Sequence, residues 1–178
     1  MKIYTKTGDD GNTGLQGNLR ISKSHSRIKS YGMVDEANAA LGIVLAHSLD
    51  KDIEETLEQI QNDLFVVGAD LSNTNLNDAK NRVSLELVEE LETKIDKFEL
   101  ELEPLTNFIL PGGDPAAAQI HYTRTIVRRA ETQTVELAET DEINANCIRY
   151  LNRLSDLFFV IGRLINKRKG RQDILWKV

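Results

Sequence analysis

Apolar residues recur at helical spacing along most of the chain. In the second of five periodic stretches they are separated alternately by four and three positions, as in a helix that packs in a bundle. The third and fifth stretches repeat this pattern, and the first and fourth carry apolar faces of the same kind. The sequence therefore predicts an all-α fold, a five-helix bundle with helices at 26–48, 51–73, 84–101, 114–139 and 143–169.

Capping residues mark the ends of several predicted helices. Ser84 precedes Leu85 and Asp114 precedes Pro115, so both polar residues are predicted N-caps. Gly170 follows a basic closing turn at 167–169, where cations oppose the helix dipole. We therefore interpret that basic run as a helix end in preference to a ligand site.

Two segments do not fit a plain bundle. Residues 1–25 are polar and rich in Gly, Thr, Asn and Ser, with a brief strand-like pattern at Lys2–Thr5. The segment FILPGGD, Phe108–Asp114, is apolar and then abruptly glycine-rich. We predict a single domain over residues 1–178, in which an irregular, glycine-rich N-terminal segment precedes a helical bundle at 26–169.

Composition and charge narrow the classes of function. The 178 residues are 40% hydrophobic and carry a net charge of -6, so a polyanion such as a nucleic acid would be repelled on average. No apolar run is long enough to cross a membrane, and no signal peptide is recognisable. Cys147 is the only cysteine, which excludes an intrachain disulfide and suits a reducing compartment. We expect a cytoplasmic protein.

The N-terminal segment has the composition of a phosphate-binding loop. Glycine lets backbone N–H groups approach an anion, while threonine hydroxyls and lysine ammonium groups add donors and charge. The segment lacks the GxxxxGK[ST] pattern of a Walker A loop. An ordinary turn remains the alternative, because Asp-Gly and Asn-Thr-Gly are common turn sequences. The candidate ligands are Thr5, Lys6, Thr7, Gly8, Gly11, Thr13, Gly14 and Lys23.

The first predicted helix places one carboxylate on a face of small residues. Asp35 shares this face with Gly32, Ala39, Gly42 and Ala46. Small side chains let another backbone approach closely, and a partly desolvated carboxylate there would require a cationic partner. The alternative is a solvated aspartate on a helix surface.

The fourth predicted helix offers candidate cations. Arg124 and Arg128 project together, with Glu131 on the Arg124 side, and like charges at this spacing repel unless an anion lies between them. Guanidinium groups suit a phosphate or a buried carboxylate. Pairing with acids of the same helix is the alternative. Arg129 falls on the opposite face and is predicted to be a solvated surface residue.

The fifth helix has a second, polar face formed by Asn152, Asp156, Phe159 and Arg163. Such a face is either solvated or directed toward a ligand or subunit. The sequence contains no Glu-x-x-His pair for a di-iron centre and no cysteine beside Cys147 for zinc. No Ser/His/Asp order suggests a hydrolase, so we predict neither a resident metal site nor a protein nucleophile.

Six segments together resemble one family, the PduO-type ATP:cob(I)alamin adenosyltransferases. The resemblance covers nearly the whole chain in the family's order and spacing. It rests on YTKTGDDGNTGL at 4–15, Lys23, YGMVDEANAALG at 31–42, FILPGG at 108–113, RRAE at 128–131 and YLNRLSDLFFVIGR at 150–163.

The resemblance implies an enzyme that transfers the 5′-deoxyadenosyl group of ATP to the cobalt of cob(I)alamin or a related corrinoid and releases triphosphate. It also implies a homotrimer with sites between subunits, Mg²⁺ with the ATP, and an electron-donating reductase that converts Co(II) to Co(I). Because a Co(I) centre is itself a nucleophile, the protein needs only to align cobalt with C5′ of ATP and to stabilise the charge that builds on the leaving triphosphate.

The resemblance also assigns residues to roles. Asp35 and Arg124 match a pair that bridges subunits, and Phe108 matches the residue that displaces the lower axial ligand of the corrinoid. Arg129 belongs to the cofactor-binding set by its place in RRAE alone. The residues implied to bind ATP and Mg²⁺ are Thr5, Lys6, Thr7, Gly8, Thr13, Gly14, Lys23, Arg128, Glu131 and Asn152.

Two other functions compete with this one. A non-catalytic, ATP-binding regulatory bundle would need the glycine-rich loop and the arginines, but no apolar site beside Phe108. A structural oligomeric bundle would need neither, and ATP would not raise its melting temperature.

Overall fold

The computed structural model describes residues 2–16, 19–77 and 82–177. Within these ranges the chain forms five helices and four short strands. The helices are α1 (Ser26–Leu45), α2 (Lys51–Ser72), α3 (Leu85–Glu99), α4 (Pro115–Ala138) and α5 (Asn146–Arg168), and the strands are β1 (Asn12–Gly14), β2 (Arg20–Ser22), β3 (Ile109–Leu110) and β4 (Ile174–Leu175).

The helices pack as the heptad pattern predicts. α1 packs on α2 and α4, α4 packs on α5, and α5 also contacts α2 and α3. The apolar stripe of each helix is buried at these seams, because burial removes apolar surface from water. α5 is the most enclosed, since every residue of its segment 160–166 is buried. The largest fully buried side chains are Tyr150, Phe98, Phe158, Leu41, Ile53, Leu57, Ile60, Leu64, Leu71, Leu91, Ile120 and Leu137.

The helix ends confirm most of the sequence prediction. All five helices lie within three residues of their predicted bounds. The Ser84 hydroxyl accepts from the backbone N–H of Leu87 at 3.4 Å, and the Asp114 carboxylate accepts from that of Ala116 at 3.0 Å. Gly170 follows α5 with a φ of 69°, the left-handed conformation in which glycine carries no steric penalty. In the described part of the chain, no helix combines the length and the apolar character that crossing a bilayer requires.

The strand-like prediction at Lys2–Thr5 is wrong. These residues form no strand, because a strand requires a hydrogen-bonded partner and the pairing occurs further along. β1 instead pairs antiparallel with β2, with Thr13 opposite Ile21. β3 pairs antiparallel with β4, which joins the Phe108 loop to the C-terminal segment.

The basic run at the end of α5 has a structural role. The two Arg168 terminal nitrogens donate to the Asp52 carboxylate at 2.7 and 2.9 Å, and one also contacts Glu101 at 2.5 Å. Lys167 donates to the backbone carbonyl of Glu101. These bonds tie the end of α5 to the start of α2 and the end of α3. They support our interpretation of the run as a helix end, with pairing across helices in addition to the dipole.

One buried amide fixes the turn between Phe108 and α4. Asn166 of α5 accepts from the backbone N–H of Asp114 at 2.8 Å and donates to the carbonyl of Gly112 at 2.9 Å. Gly113 has a φ of 103°, and a Cβ at this position would lie 2.2 Å from the Asn166 side-chain oxygen. The turn therefore requires glycine both for its backbone conformation and for its closeness to α5.

We expect Gly113→Ala to lower the free energy of unfolding by at least about 2 kcal/mol, because it combines a strained φ with a clash. Gly112→Ala is the matched control: its φ of 153° is also unusual, but a Cβ there would meet nothing within 4 Å. Urea unfolding of both variants measures the difference. Equal losses for the two would contradict the close approach of Gly113 to Asn166.

Candidate active site

The N-terminal loop is held in a fixed shape by its own polar groups. The Thr5 and Thr7 hydroxyls lie 2.9 Å apart, and Arg20 donates to the carbonyl oxygens of Thr7 at 2.5 Å and Asn12 at 3.3 Å. The backbone N–H of Lys23 donates to the Gly11 carbonyl at 2.9 Å. The loop therefore folds back onto the β1–β2 ribbon.

Two cations and two left-handed residues shape this loop further. The Lys23 ammonium lies 3.1 Å from the place of a Cβ on Gly8, so glycine there lets the charge approach the backbone. The Lys6 ammonium lies 5.8 Å from the centre of the Tyr4 ring. Lys6 has a φ of 60°, which costs a non-glycine residue about 1 kcal/mol, and Gly11 has a φ of 82°. Such local strain is characteristic of functional loops.

The loop leads into a cleft between α1 and α2. Gln16 anchors this part of the chain to α2, because its amide donates to the Ala69 carbonyl and the Ser72 hydroxyl, each at 3.0 Å. The cleft has a volume of about 670 Å³. Gly14 and the exposed Asp35 both line it. Gly14 of the predicted loop thus lies at the same cleft as the small-residue face of α1.

The Asp35 face lacks internal partners. Gly32, Asp35 and Ala39 are exposed, and the neighbouring Phe65 side chain is 72% exposed. Asp35 makes no hydrogen bond or ion pair with the described residues. Asn38, which lines the same cleft, has a buried side-chain oxygen without a hydrogen-bond partner in the described ranges. A face of this kind has polar groups available to an external partner.

Arg124 and Arg128 form a cationic pair on α4. Burial, and then the charge of Arg128, lower the pKa of Arg124 below the usual range for arginine. The Arg124 Nε is buried without a hydrogen-bond partner among the described residues, and Arg128 makes no ion pair within them. Because unpaired guanidinium groups four residues apart repel, this surface would be stabilised by an anion.

Glu131 and Asn152, two residues of the implied ATP-binding set, are in contact. The Asn152 amide donates to the Glu131 carboxylate at 2.8 Å, which joins α4 to α5. Arg129 is exposed, as predicted, and it also has partners on α1. Its side chain is 52% exposed and pairs with Glu36 at 2.5 Å, and its Nε–H donates to the Met33 sulfur at 3.4 Å. The packing of α4 on α1 supplies these partners.

Phe108 stands at an apolar cleft between the loop and α4. Its side chain is 79% exposed, and its ring meets that of Trp176 edge to face, with centroids 6.2 Å apart. The cleft has a volume of about 710 Å³. Arg124 also lines it, with its guanidinium carbon 5.9 Å from the centre of the Phe159 ring. An exposed aromatic beside an apolar cleft indicates a binding surface.

The predicted residues do not converge on one point of a single chain. Asp35 and Arg124 line different clefts, one between α1 and α2 and the other beside α5. No hydrogen bond or ion pair joins them within the described residues. This arrangement fits a pair formed between two copies of the chain.

Sequence reasoning missed two residues that shape the site. Arg20 stands opposite Gly14 in the β1–β2 ribbon and organises the loop. Its basic character within a glycine-rich segment was a usable signal. Trp176 contacts Phe108 from the far end of the chain. No local pattern indicates that contact, because strand pairing across 65 residues creates it.

The described residues include no group of three or more His, Cys, Asp or Glu side chains that could hold a metal ion. Burial also raises the pKa of the Cys147 thiol far above neutrality, so it is no nucleophile at physiological pH. The candidate residues that the structure describes thus offer cations, a Glu–Asn pair and backbone donors of the loop.

Comparison with known proteins gives close relatives over the whole chain. A corrinoid adenosyltransferase from Bacillus subtilis is 45% identical over 98% of this chain and 91% of its own length. A corrinoid adenosyltransferase from Mycobacterium tuberculosis is 42% identical over 99% of this chain and 93% of its own length.

Solved structures share the fold. A PduO-type ATP:corrinoid adenosyltransferase from Lactobacillus reuteri, with a phenylalanine-to-histidine substitution and complexed with cobalamin and ATP, is 35% identical with a TM-score of 0.94. That match covers 99% of this chain and 97% of the other. An arginine-to-lysine variant complexed with ATP has a TM-score of 0.92 and 36% identity, over 98% of this chain and 100% of the other. The profile of the cobalamin adenosyltransferase family matches residues 3–165, and the chain belongs to that family.

Proposed function

We propose that this protein transfers the 5′-deoxyadenosyl group of ATP to the cobalt of a corrinoid. The observation that carries the proposal is Phe108, an exposed aromatic residue at an apolar cleft that also contains the partly buried Arg124. A protein that only bound ATP would have no use for such a cleft. In the transfer, the cobalt–carbon bond forms at C5′ of ATP as the bond from C5′ to the triphosphate oxygen breaks.

The N-terminal loop and α4 would bind the triphosphate. Lys6, Lys23 and Arg128 supply positive charge, and the loop adds threonine hydroxyls and backbone N–H groups. Charge accumulates on the triphosphate as it leaves, so fixed cations stabilise the transition state more than the ground state. The absence of an internal partner for Arg128 in the described ranges supports this role. Arg129 belongs to the proposed ATP-binding set by its place in RRAE alone, and its side chain pairs with Glu36. The other members are Thr5, Lys6, Thr7, Gly8, Thr13, Gly14, Lys23, Arg128 and Asn152.

Mg²⁺ would enter with ATP. This ion prefers one or two carboxylates together with substrate phosphates to an all-protein cage. Glu131, oriented by the Asn152 amide, supplies one carboxylate of this kind, which fits the ion. When bound, Mg²⁺ would neutralise part of the phosphate charge. Glu131 and Asn152 would hold the ion in position.

The corrinoid would lie against the cleft at Phe108. An apolar side chain directed at cobalt excludes a lower axial ligand, and Co(II) without that ligand is easier to reduce. One spacing supports the assignment. The phenylalanine and the arginine substituted in the Lactobacillus reuteri structures lie 20 positions apart in that chain, the same separation as Phe108 and Arg128.

A homotrimer with sites between subunits completes the proposal. Asp35 and Arg124 have opposite charges, and neither has an ion-pair partner within the described part of one chain. Gly32, Ala39 and the exposed Phe65 surround Asp35 with the small and apolar surface that a close interface requires. A salt bridge between subunits would satisfy both groups.

The competing functions have less support. The Bacillus subtilis relative, matched over 91% of its length, is named a corrinoid adenosyltransferase, and the solved structures are complexed with ATP or with cobalamin and ATP. These findings argue against a non-catalytic regulatory bundle and against a purely structural one. An electron-donating reductase and a cytoplasmic location stay predictions from the sequence.

Removal of the Arg128 guanidinium tests the triphosphate site. We expect Arg128→Ala to lower the adenosylation rate by about 10²–10³-fold, the usual loss for one electrostatic donor. Arg128→Lys should restore only part of this rate, since a bidentate fork becomes a point charge. Formation of adenosylcobalamin is followed spectroscopically. Arg149→Ala, an exposed arginine of α5, is the control, and an Arg128→Ala rate within about threefold of it would remove Arg128 from the site.

Phe108→Ala tests whether Phe108 acts on the corrinoid and not on ATP binding. We expect the affinity for ATP, measured by calorimetry, to stay within about twofold, because the side chain contacts no proposed ATP ligand. The spectrum of four-coordinate Co(II), recorded with cob(II)alamin and MgATP, should weaken strongly. Leu100→Ala, an 87% exposed apolar residue at the end of α3, is the control. Loss of ATP affinity with an intact Co(II) signal would reverse the assignment.

A double-mutant cycle tests the pair between subunits. Asp35→Asn and Arg124→Ala should each weaken the trimer in sedimentation, because each leaves the other charge unpaired. The double variant should lose less than the sum of the two, with a coupling free energy of at least about 1 kcal/mol. Asp96→Asn, an exposed carboxylate on α3, is the control. Additive effects, or a fully active monomer, would contradict the pair.

A further inference from the structure

Arg163 is a buried cation that binds two segments far apart in the sequence. It lies in α5 and is only 7% exposed. Its Nε donates to the Asp173 carboxylate at 2.8 Å, and one terminal nitrogen donates to the Glu103 carbonyl at 2.8 Å. A buried guanidinium is unfavourable unless it is paired, so both bonds are needed to keep it inside. One side chain thus joins the segment after α3 to the segment after α5.

These two segments meet again at Phe108. Glu103 precedes Phe108 in the loop after α3, and Asp173 precedes Trp176 in the C-terminal strap, which we define as residues 171–177. The loop contributes β3 and the strap contributes β4, and these two strands pair with each other. The backbone N–H of Trp176 then donates to the Phe108 carbonyl at 2.8 Å, and the two rings are in contact.

The position of Phe108 depends on the contacts between its loop and the strap. Its side chain is 79% exposed, so the core does not hold it. β3 and β4 are two residues each, and a ribbon this short is marginal by itself in water. Ile174, Leu175 and Trp176 of the strap are about half exposed. The strap is attached to α5 at two places: the Arg171 backbone N–H donates to the Asn166 carbonyl at 2.8 Å, and the buried Arg163–Asp173 ion pair holds the strap by a side chain closer to Trp176.

We propose that Arg163 is a positioning residue for the corrinoid: its bonds to Asp173 and Glu103 clamp the C-terminal strap onto the Phe108 loop and set Phe108 at its cleft. Arg163 acts through these two segments and contacts neither substrate. The proposal rests on the proposed function for the identity of the ligand. The docking of the strap is a property of the protein alone and is tested separately.

Trp176 reports the docking directly, because it is the only tryptophan in the chain. Asp173→Asn keeps the shape of the side chain and removes the charge that Arg163 binds. We expect a red-shifted Trp176 emission and stronger quenching by acrylamide, as the strap leaves the Phe108 loop. Gln172→Ala, an exposed neighbour in the same strap, is the matched control and should leave both signals at wild-type values.

The second measurement compares the two substrates without turnover. The Kd for cob(II)alamin in the presence of MgATP, taken from its absorption spectrum, should rise about tenfold in Asp173→Asn, since a small misplacement of a binding group has effects of this order. The Kd for ATP, from calorimetry, should change less than about twofold, because none of the proposed ATP ligands contacts the clamp. Arg163→Lys should fall between wild type and Asp173→Asn, since one ammonium keeps the charge but does not reproduce both bonds of the guanidinium.

Two results would overturn the proposal. One is a Trp176 signal in Asp173→Asn that equals the wild type, which would mean that the strap docks without the clamp. The other is an equal rise of both Kd values, which would indicate general damage to the fold. Failure of the wild-type protein to make adenosylcobalamin would count against the proposed function alone, since the fluorescence and binding measurements involve no transfer step.

Discussion

The burial of α5 is the constraint on which the site depends. Its segment from Val160 to Asn166 is enclosed on all sides, so any polar side chain there must find a partner inside the protein. Asn166 and Arg163 find theirs in the backbone of the loop between α3 and α4 and in the strap. Packing of the bundle therefore places the loop that carries Phe108, although that loop is itself exposed.

Some cations lack ion-pair partners among the described residues, although the chain is acidic overall. The net charge is -6, yet Lys6, Lys23 and Arg128 have no ion-pair partner within the described ranges, and the Nε of Arg124 has no hydrogen-bond partner there. Several other arginines have partners inside the protein, as in the bonds of Arg27 to Leu71 and Asp141. Arg27 thus stabilises the fold through internal bonds, whereas Lys6, Lys23 and Arg128 have their charges available to an external anion. These available charges explain how an acidic protein would attract one anionic substrate specifically.

The site has the character expected when the reactive centre belongs to the substrate. Cys147 is buried with a raised pKa, and burial lowers the pKa of His121, whose Nδ1 has no hydrogen-bond partner in the described part of the chain. Neither residue is placed as a nucleophile or base. The available groups are hydrogen-bond donors, cations and an apolar cleft wall. Such groups can align two substrates and stabilise the charge of a leaving triphosphate. The family's chemistry needs no nucleophile from the protein, because the cobalt of the corrinoid is the nucleophile.

The sequence alone determined the five helices, their ends to within three residues, and the individual segments that carry the candidate ligands. Helical periodicity and caps are local properties, and the bundle follows from them because each apolar stripe must be buried. Resemblance across six segments determined the family. Only the tertiary structure decided that Arg129 pairs with Glu36, that Arg20 organises the loop, and that Trp176 reaches Phe108. Those contacts join residues distant along the chain, and no local pattern encodes them, since they depend on which helices and strands become neighbours when the core closes.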